Sequence, residues 1–539
     1  MKNFSNLFFV SLFLAAINIM GCGGGGGSNE SSAADTTPPT VVSTAPSDST
    51  LTAAVKPGIK AVFSEGLSSA TTTSASFIVT KGTGTPVPGT VAYNAATHSV
   101  SFTPTNSRLD YGTLYTAMVT TAVRDAAGNA LAAPYTWSFT TKTNLMINAG
   151  SVYSMALQND GTVWSWGEAS SPFGGLGRDL GASASDPVPA PISIPTATTI
   201  KLIATGENHT VVVDAENNLY AWGDNYFRQL GAASLISQES FTPVLVSMPS
   251  LSAGVSVIAV SSSKKHSLAL TSDGSVYAWG DNNVGELGLD TIGSSHAPAL
   301  VTNLSGTTIV AIAAGTGPTS ASSIDSCDFS LALDSTGKVW AWGCNESGQV
   351  ANPEDTNYHM APAPLAGLPS VKAIAAGYGF GAAVATNGDV WTWGYGIDGN
   401  LGDGTCGPGH QSPAPAAVSG ISLVSKVAAG RFGANGTWVI ALKDNGTIWG
   451  WGDDSFGQLG NNSTGSNADP LCPGSVTYPV RAGNLTNVID IATGSSHSIA
   501  LKSDGTVWVW GNNDNNRLGV STSTPVVSPK LVPVQVPNF

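Results

Sequence analysis

The chain has 539 residues, of which only 10% are charged, and it carries 63 glycines and 31 prolines. This length favours two or more domains, and the abundance of turn-forming residues is typical of an all-β protein. The formal net charge of −14 argues against nucleic acid as a partner, because phosphate backbones repel an acidic chain. After the N-terminus, no apolar stretch is long enough to span a bilayer.

The first 37 residues are predicted to direct export. Met1-Lys2 precedes a mostly apolar run from Leu7 to Met20, which is too short for a transmembrane helix and is typical of a signal peptide. The phrase Ile19-Met20-Gly21-Cys22 resembles the bacterial lipoprotein cleavage box. That resemblance implies a signal peptide of residues 1–21, lipidation of Cys22 and a place in the cell envelope, in the outer membrane if the cell is Gram-negative. Residues 22–37 are Gly- and Ser-rich and are expected to form a flexible tether. An ordinary secretory signal is the alternative.

Residues 38–142 contain about seven short runs rich in β-branched and aromatic residues, separated by turn formers, which is the pattern of a β-sandwich. Four phrases resemble bacterial Ig-like domains: Pro38-Pro39-Thr40-Val41-Val42, Phe63-Ser64-Glu65, Asp125-Ala126-Ala127-Gly128-Asn129-Ala130 and Trp137-Ser138-Phe139-Thr140-Thr141. The resemblance implies a stalk. We interpret Asp125 and Asn129 as parts of a turn, in preference to a calcium site.

Residues 143–539 repeat one phrase seven times: an aromatic residue, one further residue, Trp and Gly. Its tryptophans are Trp166, Trp222, Trp279, Trp342, Trp393, Trp451 and Trp510. In most repeats an Asp-Gly or Asn-Gly pair precedes the phrase and predicts a tight hairpin. Upstream lies a small-residue strand such as Ile312-Ala313-Ala314-Gly315, and a Pro-flanked strand typical of a sheet edge follows in most units.

The sizes of these side chains predict where each strand lies. Blades of a propeller converge at the axis, so the small-residue strand is expected to be innermost and Trp to fill the wider space between blades. We predict an all-β protein, a seven-bladed β-propeller with an N-terminal Ig-like β-sandwich; a parallel β-helix is the alternative. Whether the last strand completes blade seven or pairs with blade one is left open.

The polar loop after each Trp-Gly carries a second resemblance. Phrases such as Asp453-Asp454-Ser455-Phe456-Gly457-Gln458-Leu459-Gly460 resemble the regulator of chromosome condensation repeat, and His209, His266 and His497 stand at the histidine position of that repeat. Repeats five and six have Gly379-Phe380-Gly381 and Asn435-Gly436-Thr437 there instead. The three histidines could hold a metal, but we expect hydrogen bonds at the start of a strand.

No catalytic, phosphate-binding or calcium-loop motif is present, and no catalytic residue, metal or cofactor is expected. Two hairpin phrases, Ala332 to Trp340 and Ser503 to Thr506, are similar to a quinone-dehydrogenase docking motif and a sialidase Asp-box. We interpret both as ordinary turns.

Four cysteines besides Cys22 lie in a chain predicted to be exported, so disulfides are expected. The turn between the first and second strands and the loop after Trp-Gly leave the same end of a blade. Cys327 and Cys344 occupy these two positions in repeat four, whereas Cys406 and Cys472 lie in the late loops of neighbouring repeats. Strand order therefore predicts Cys327–Cys344 and Cys406–Cys472.

The same end of the propeller is predicted to carry aromatic and arginine side chains with no evident place in the core. They are Tyr226, Phe227, Tyr378, Phe380, Tyr395, Arg431, Phe432 and Phe456. Aromatic residues and arginine are common anchors of protein interfaces, so we predict a partner-binding face; the alternative is that each packs on its own blade.

These observations predict a monomeric, exported, lipid-anchored binding or scaffold protein that presents the propeller loops to a protein or glycan, with no nucleic-acid partner. The first alternative is a cell-envelope enzyme, a lyase or hydrolase with its site at the channel mouth. The second, guanine-nucleotide exchange on a small GTPase, is implied by the family resemblance alone and disagrees with the export signal and the acidic charge. A fold by itself does not select among these functions.

Overall fold

The computed structural model describes residues 35–537 except for the internal stretches 54–57, 83, 106–108, 110–111, 142–144, 169–173, 181–184, 234, 236–237, 294, 305, 319–326, 352–357, 431–435, 466–469 and 521–527. Cys22, Arg431 and Phe432 therefore lie outside the described residues. The contacts divide the chain at residues 140–141 into two compact units, with residues 110–113 assigned to the second. Among the described residues, no helix has the length and apolarity needed to cross a bilayer.

The first unit is a sandwich of two antiparallel sheets. One has the strand order β1-β3-β7-β6, formed by β1 (Val41–Ala45), β3 (Ile59–Phe63), β7 (Ser99–Pro104) and β6 (Gly89–Asn94). The other has the order β2-β9-β8-β4-β5, formed by β2 (Thr50–Ala53), β9 (Tyr135–Thr141), β8 (Leu114–Val119), β4 (Phe77–Lys81) and β5 (Thr85–Pro86). A 3-10 helix spans Ser69–Thr71.

Alternation along these strands builds the sandwich core. In β3, Ile59, Ala61 and Phe63 are buried while Lys60 is exposed, as expected for a strand with one face inward. Trp137 packs against Phe77 with ring centroids 5.6 Å apart. The Asn129 backbone N–H and side-chain amide donate to the two carboxylate oxygens of Asp125, each at 2.8 Å, which forms the predicted turn.

The second unit consists of seven sheets, each of four consecutive antiparallel strands. The first three blades are β10 (Met146–Ala149), β11 (Tyr153–Leu157), β12 (Val163–Glu168) and β13 (Ser185–Pro191); β14 (Ile200–Thr205), β15 (His209–Asp214), β16 (Leu219–Asp224) and β17 (Glu239–Leu245); and β18 (Val257–Ser262), β19 (His266–Thr271), β20 (Val276–Gly280) and β21 (Ser295–Leu300). Blades four and five are β22 (Ile309–Gly315), β23 (Phe329–Asp334), β24 (Val339–Gly343) and β25 (His359–Pro364); and β26 (Val371–Ala376), β27 (Phe380–Ala385), β28 (Val390–Tyr395) and β29 (Gln411–Ala417).

Blades six and seven are β30 (Val424–Ala429), β31 (Trp438–Lys443), β32 (Ile448–Asp453) and β33 (Ser475–Arg481); and β34 (Val488–Thr493), β35 (His497–Lys502), β36 (Val507–Gly511) and β37 (Lys530–Gln535). Short 3-10 helices span Thr302–Leu304 and Asp514–Asn516. The seven-bladed propeller and the Ig-like sandwich predicted from the sequence are both confirmed.

The first strand of each blade lies at the axis, as its small side chains predict. Residues of six of these strands line an axial cavity of about 210 Å³, among them Ala314, Ala376, Ala429 and Thr493. In six of the seven blades the small-residue run ends in a glycine, and this glycine has a further role. A Cβ on Gly377 would lie 2.2 Å from the ring of Phe380, and a Cβ on Gly494 would lie 2.2 Å from the ring of His497. Glycine therefore admits the large ring that opens the second strand.

The ring closes without exchange of a strand between the first and last blades. The strand β37 pairs with β36, so it completes blade seven. Side chains of the two blades form one apolar cluster that includes Ile147, Ala149, Ile499 and Val509. Polar contacts reinforce this junction, since the Asn515 side-chain amide donates to a carboxylate oxygen of Glu168 at 2.6 Å.

Candidate functional site: the loop face and the blade junctions

Two sets of loops leave the same end of every blade, one between the first and second strands and one between the third and fourth. We call this end the loop face and the opposite end, with the Asp-Gly and Asn-Gly turns, the hairpin face. The structure brings Cys327 and Cys344 together on the loop face, with Cα atoms 5.2 Å apart. It also brings Cys406 and Cys472 together, with Cα atoms 6.1 Å apart, so both predicted pairs lie at disulfide distance. The second pair links blades five and six.

The predicted aromatic residues form two groups on the loop face. In blade two, Tyr226 has 61% of its surface exposed and lies edge-on to Phe227 with ring centroids 5.0 Å apart. The ammonium group of Lys265 lies 4.2 Å from the centre of the Phe227 ring. In blade five, Tyr378 and Tyr395 are half-buried and meet edge-on at 6.4 Å.

The Tyr378 hydroxyl is a weak acid in this setting. Burial raises its pKa to about 12, and Tyr395, Glu207 and Asp328 add to the shift. Tyr378 therefore stays neutral and available as a hydrogen-bond donor throughout the physiological range. Glu207, at the loop face of blade two, forms an ion pair with Lys264 at 3.3 Å.

The prediction that Phe380 belongs to the binding face was wrong. Its side chain is 0% exposed and packs in the core between blades five and six. The residue pairs with Gly394 at the start of β27, as His209 pairs with Gly223 at the start of β15. Phe456 is half-buried on the loop of blade six.

The three aligned histidines each contact a serine of the next blade, as expected from a structural role. The Nε2 atom lies 2.8 Å from Ser267 Oγ for His209, 2.9 Å from Ser330 Oγ for His266 and 2.9 Å from Ser154 Oγ for His497. These serine hydroxyls donate in turn to a backbone carbonyl of the loop that follows Trp-Gly in the histidine's own blade. Each imidazole Nε2–H is therefore the donor to its serine.

This arrangement favours the neutral form of His209 and His497. Burial is the main cause that lowers the pKa of His209 to about 3 and that of His497 well below its usual value. The Nδ1 atoms of both rings are buried and have no hydrogen-bond partner among the described residues, so an added proton there would meet no acceptor.

Other large rings occupy the histidine position in the remaining blades. They are Tyr153 in blade one, Phe329 in blade four, Phe380 in blade five and Trp438 in blade six. The sequence placed Asn435-Gly436-Thr437 at the histidine position of blade six. The structure instead places Trp438 there, one residue after that phrase. The Trp438 indole N–H donates to Ser498 Oγ of blade seven at 3.4 Å, which replaces the histidine contact.

The repeated tryptophan is the second junction contact. Trp222 donates its indole N–H to the carbonyl of Gly175 in blade one at 3.0 Å, and Trp279 donates to the carbonyl of Gln229 in blade two at 2.9 Å. Trp342, Trp393, Trp451 and Trp510 make the same contact at 2.8–2.9 Å. Sequence analysis predicted that Trp fills space between blades, but it did not find these carbonyl partners, because they depend on the offset between adjacent sheets.

One junction has the connectivity of a hydrolase triad. His266 lies 2.9 Å from Ser330 Oγ through Nε2 and 3.4 Å from an Asp328 carboxylate oxygen through Nδ1. All three side chains are 0% exposed, and the Ser330 hydroxyl donates to the backbone carbonyl of Glu286 at 2.8 Å. The arrangement is inaccessible to a substrate and serves the junction between blades three and four.

A buried group of charged residues lies beside this triad and was not predicted from the sequence. Lys265 pairs with Asp281 at 3.4 Å, and the two side chains are 4% and 1% exposed. Glu286 is 1% exposed, and its Oε1 atom has no hydrogen-bond partner among the described residues. A comparison of the repeats with one another would have found it, because Glu286 stands where blades two, four and six have Gln.

Comparison with known proteins gives this architecture a class. A family model for the bacterial Ig-like domain matches residues 35–141. A family model for the regulator of chromosome condensation (RCC1) repeat matches residues 160–213, 216–270, 273–321, 336–384, 387–433, 445–501 and 504–539. The protein is thus a β-propeller of RCC1-type repeats that follows an Ig-like domain. The chain belongs to the RCC1 repeat family.

Proteins with similar sequences match most of the length of the chain. The ultraviolet-B receptor UVR8 of Arabidopsis thaliana is 27% identical over 393 residues, which is 72% of this chain and 81% of the receptor. The human E3 ubiquitin-protein ligase HERC2 is 29% identical over 385 residues, 70% of this chain but only 7% of the ligase. Among solved structures, yeast Prp20 covers 74% of this chain and 88% of its own, with a TM-score of 0.59 at 24% identity, which shows the fold.

Proposed function

We propose that the protein is a scaffold that binds a protein partner through the loop face of its propeller. The observation that carries the proposal is the pair Tyr378 and Tyr395, two half-buried rings held edge-on at 6.4 Å outside the blade cores. Tyrosine combines a large apolar face with a hydroxyl, which suits it to a partly wet interface. The exposed Tyr226 and its neighbour Phe227 extend the proposed surface to blade two.

The relatives support a binding role for this chain, but they do not identify its partner. Yeast Prp20 has been solved in complex with Kap60, and its binding to Gsp1p and histones has been described. UVR8 is named a receptor and HERC2 a ubiquitin ligase. These activities belong to those proteins, and their common element with this chain is the propeller.

No observation favours an enzyme. The axial cavity is lined largely by Ala, Ile and Val side chains, and the triad-like group at Ser330 is fully buried. A glycan in place of a protein partner is an outcome of the test below.

We further propose that the protein is exported and anchored by a lipid on Cys22. The proposal rests on the apolar run that ends at the phrase Ile19-Met20-Gly21-Cys22. Cells that make the protein would be labelled with a palmitate analogue, beside cells that make Cys22→Ser. Label on the natural chain and not on the variant supports the anchor; equal labelling or none on either contradicts it.

Binding is tested by photo-crosslinking in the same cells. A photoreactive phenylalanine analogue would replace Tyr395 on the loop face or Leu423 on the hairpin face, where Leu423 is 59% exposed. We expect a defined protein adduct from position 395 and none from position 423. The adduct should weaken by an order of magnitude when Tyr378 is also changed to Ala, since interface aromatics often contribute about 2 kcal/mol or more.

Adducts of equal yield at both positions would contradict the proposed face. If position 395 gives no adduct and the purified propeller is retained on a glycan array, the partner is a glycan and the protein-binding proposal fails.

A further inference from the structure

Internal repetition allows the loops of this propeller to be compared position by position. After Trp-Gly, blade six has Asp453 and, five residues later, Gln458. The side-chain oxygen of Gln458 accepts the backbone N–H of Phe456 at 2.8 Å. The side-chain amide N–H of Gln458 donates to a carboxylate oxygen of Asp453 at 2.5 Å. The amide therefore satisfies one acceptor and one donor at once.

Blade three has Asp281 and Glu286 at these two positions. One carboxylate oxygen of Glu286 accepts the Val284 N–H at 3.0 Å, in the place of the Gln458 carbonyl oxygen. The other, Oε1, takes the place of the amide nitrogen, is buried, and has no partner among the described residues. An ionised carboxylate has no proton to donate to Asp281, so the second contact of the amide is lost unless a proton is added.

The charges around Glu286 make full ionisation costly. Asp281 in the same loop and Asp328, which directly precedes β23 of the neighbouring blade, are both close enough to disfavour its ionisation, and both are almost fully buried. Lys265 pairs with Asp281, and the His266 Nδ1 atom lies 3.4 Å from an Asp328 carboxylate oxygen. Asp328 also accepts the hydroxyl protons of Ser263 and Thr316 at 3.1 and 2.8 Å, so its charge is compensated by donors.

We propose that Glu286 and Asp281 share one bound proton, which takes the place of the Gln458 amide hydrogen. The site is a carboxyl–carboxylate pair whose ligand is a proton, and Lys265 balances the remaining negative charge. Two like charges in one buried site cannot both ionise cheaply, which is the general basis of such pairs. Proton binding at this pair is independent of any partner of the loop face.

The direction of the pH dependence follows from the folded state. Burial, Asp281 and Asp328 raise the pKa of Glu286 well above its usual value. The pair therefore stabilises the propeller fully at a pH below the pKa of an unfolded glutamic acid, and this contribution is lost as pH rises through the folded pKa. Each pH unit in that window changes the folding equilibrium constant by up to about tenfold for a one-proton difference.

Loss of the proton also reaches the loop face. A second buried negative charge would draw Lys265, whose ammonium lies 4.2 Å from the centre of the Phe227 ring, towards the acids. If the proposed partner surface is correct, the proton pair regulates how Phe227 and Tyr226 are presented.

The test compares the natural chain with Glu286→Gln, which restores the amide of blades two and six. Urea unfolding of the full chain would be followed by tryptophan fluorescence between pH 5 and pH 9. We expect the variant to gain stability relative to the natural chain as pH rises. The reciprocal control Gln458→Glu creates a second acid pair in blade six and should lose stability as pH rises.

A direct readout does not depend on folding of the variants. The infrared spectrum of the natural chain at pH 7, after subtraction of that of Glu286→Gln, should contain the carbonyl stretch of a protonated carboxyl group that disappears at high pH. Bands from other protonated carboxyl groups, such as that of Asp454, are common to both chains and cancel. A stability difference that does not change with pH would overturn the proposal, as would a carboxyl band that persists unchanged in the variant.

Discussion

His497 and Ser154 are 343 residues apart in the chain, yet the His497 Nε2 atom lies 2.9 Å from Ser154 Oγ. This contact joins the seventh blade to the first, and the same contact joins blade two to three through His209 and blade three to four through His266. The closing junction therefore uses the chemistry of the internal ones.

Loss of the Ser154 hydroxyl should destabilise the ring. Ser154→Ala leaves the His497 donor and the Arg517 carbonyl without their partner in a fully buried site. We expect the free energy of unfolding to fall by about 1–3 kcal/mol, the usual cost of an unsatisfied buried group. Urea unfolding measures it. The exposed hairpin residue Ser503 provides the control, because Ser503→Ala should change stability little; equal effects of the two substitutions would contradict this role.

The buried histidines should make the propeller sensitive to acid. The pKa values of His209 and His497 are lowered in the folded state, to about 3 for His209, so the unfolded chain binds protons more readily. Their contribution to stability is complete above the unfolded pKa near 6.5 and is lost as pH falls. His209→Gln keeps a donor for Ser267 without titrating, so its unfolding midpoint should fall less steeply between pH 6.5 and 4. Parallel curves for variant and natural chain would be inconsistent with this assignment.

A single acid in blade six should have the opposite effect at higher pH. Asp454 stands where blades two, three, four and seven have Asn, and burial raises its pKa to about 7, with Asp453 adding to the shift. A raised pKa means that stability is lost as pH rises through 7. Asp454→Asn should match the natural chain near pH 5 and be more stable at pH 8. The exposed Asp444→Asn serves as control, and an Asp454→Asn variant with no advantage at pH 8 would count against the assignment.

The glycine that precedes the large ring in six of the seven blades should not tolerate a side chain. A Cβ at Gly377 would lie 2.2 Å from a carbon of the Phe380 ring, which is fixed in the core. We expect Gly377→Ala to cost about 1–3 kcal/mol through overpacking. Thermal or urea unfolding gives the cost. Gly58 has open space around it and a backbone conformation open to alanine, so Gly58→Ala is the matched control, and a neutral Gly377→Ala would refute the packing argument.

The architecture was predictable because its signals are local and repeated. The Asp504-Gly505 turn and the Trp508-Val509-Trp510-Gly511 strand report a hairpin by themselves, and seven copies of the phrase specify the number of blades. The same logic gave the cysteine pairs, since strand order alone determines which loops leave the same end of a blade.

The details of the site were less accessible because they depend on register between sheets. Phe380 sits between two glycines and looks like a loop residue in the sequence, whereas its pairing with Gly394 places it in the core. The carbonyl partners of Trp222 and Trp279 lie in the preceding blade, and no spacing within one repeat reports that offset. The sequence shows that Glu286 replaces a Gln of the equivalent loops. The structure was needed to show that the Gln458 amide donates to Asp453, whereas Glu286 Oε1 has no partner among the described residues.

Ring closure without an exchanged strand has a mechanical consequence. At six junctions the chain itself runs from one blade into the next, so parted blades would stay tethered. The seventh junction, between blades seven and one, has no covalent link and depends on non-covalent contacts, such as the His497–Ser154 pair, the hydrogen bond from the Ser495 N–H to the Ser151 carbonyl at 3.4 Å and the surrounding apolar cluster. Under tension this junction would separate first. The seven blades would then remain connected in series by the chain, and the ring would close again when the same contacts re-form.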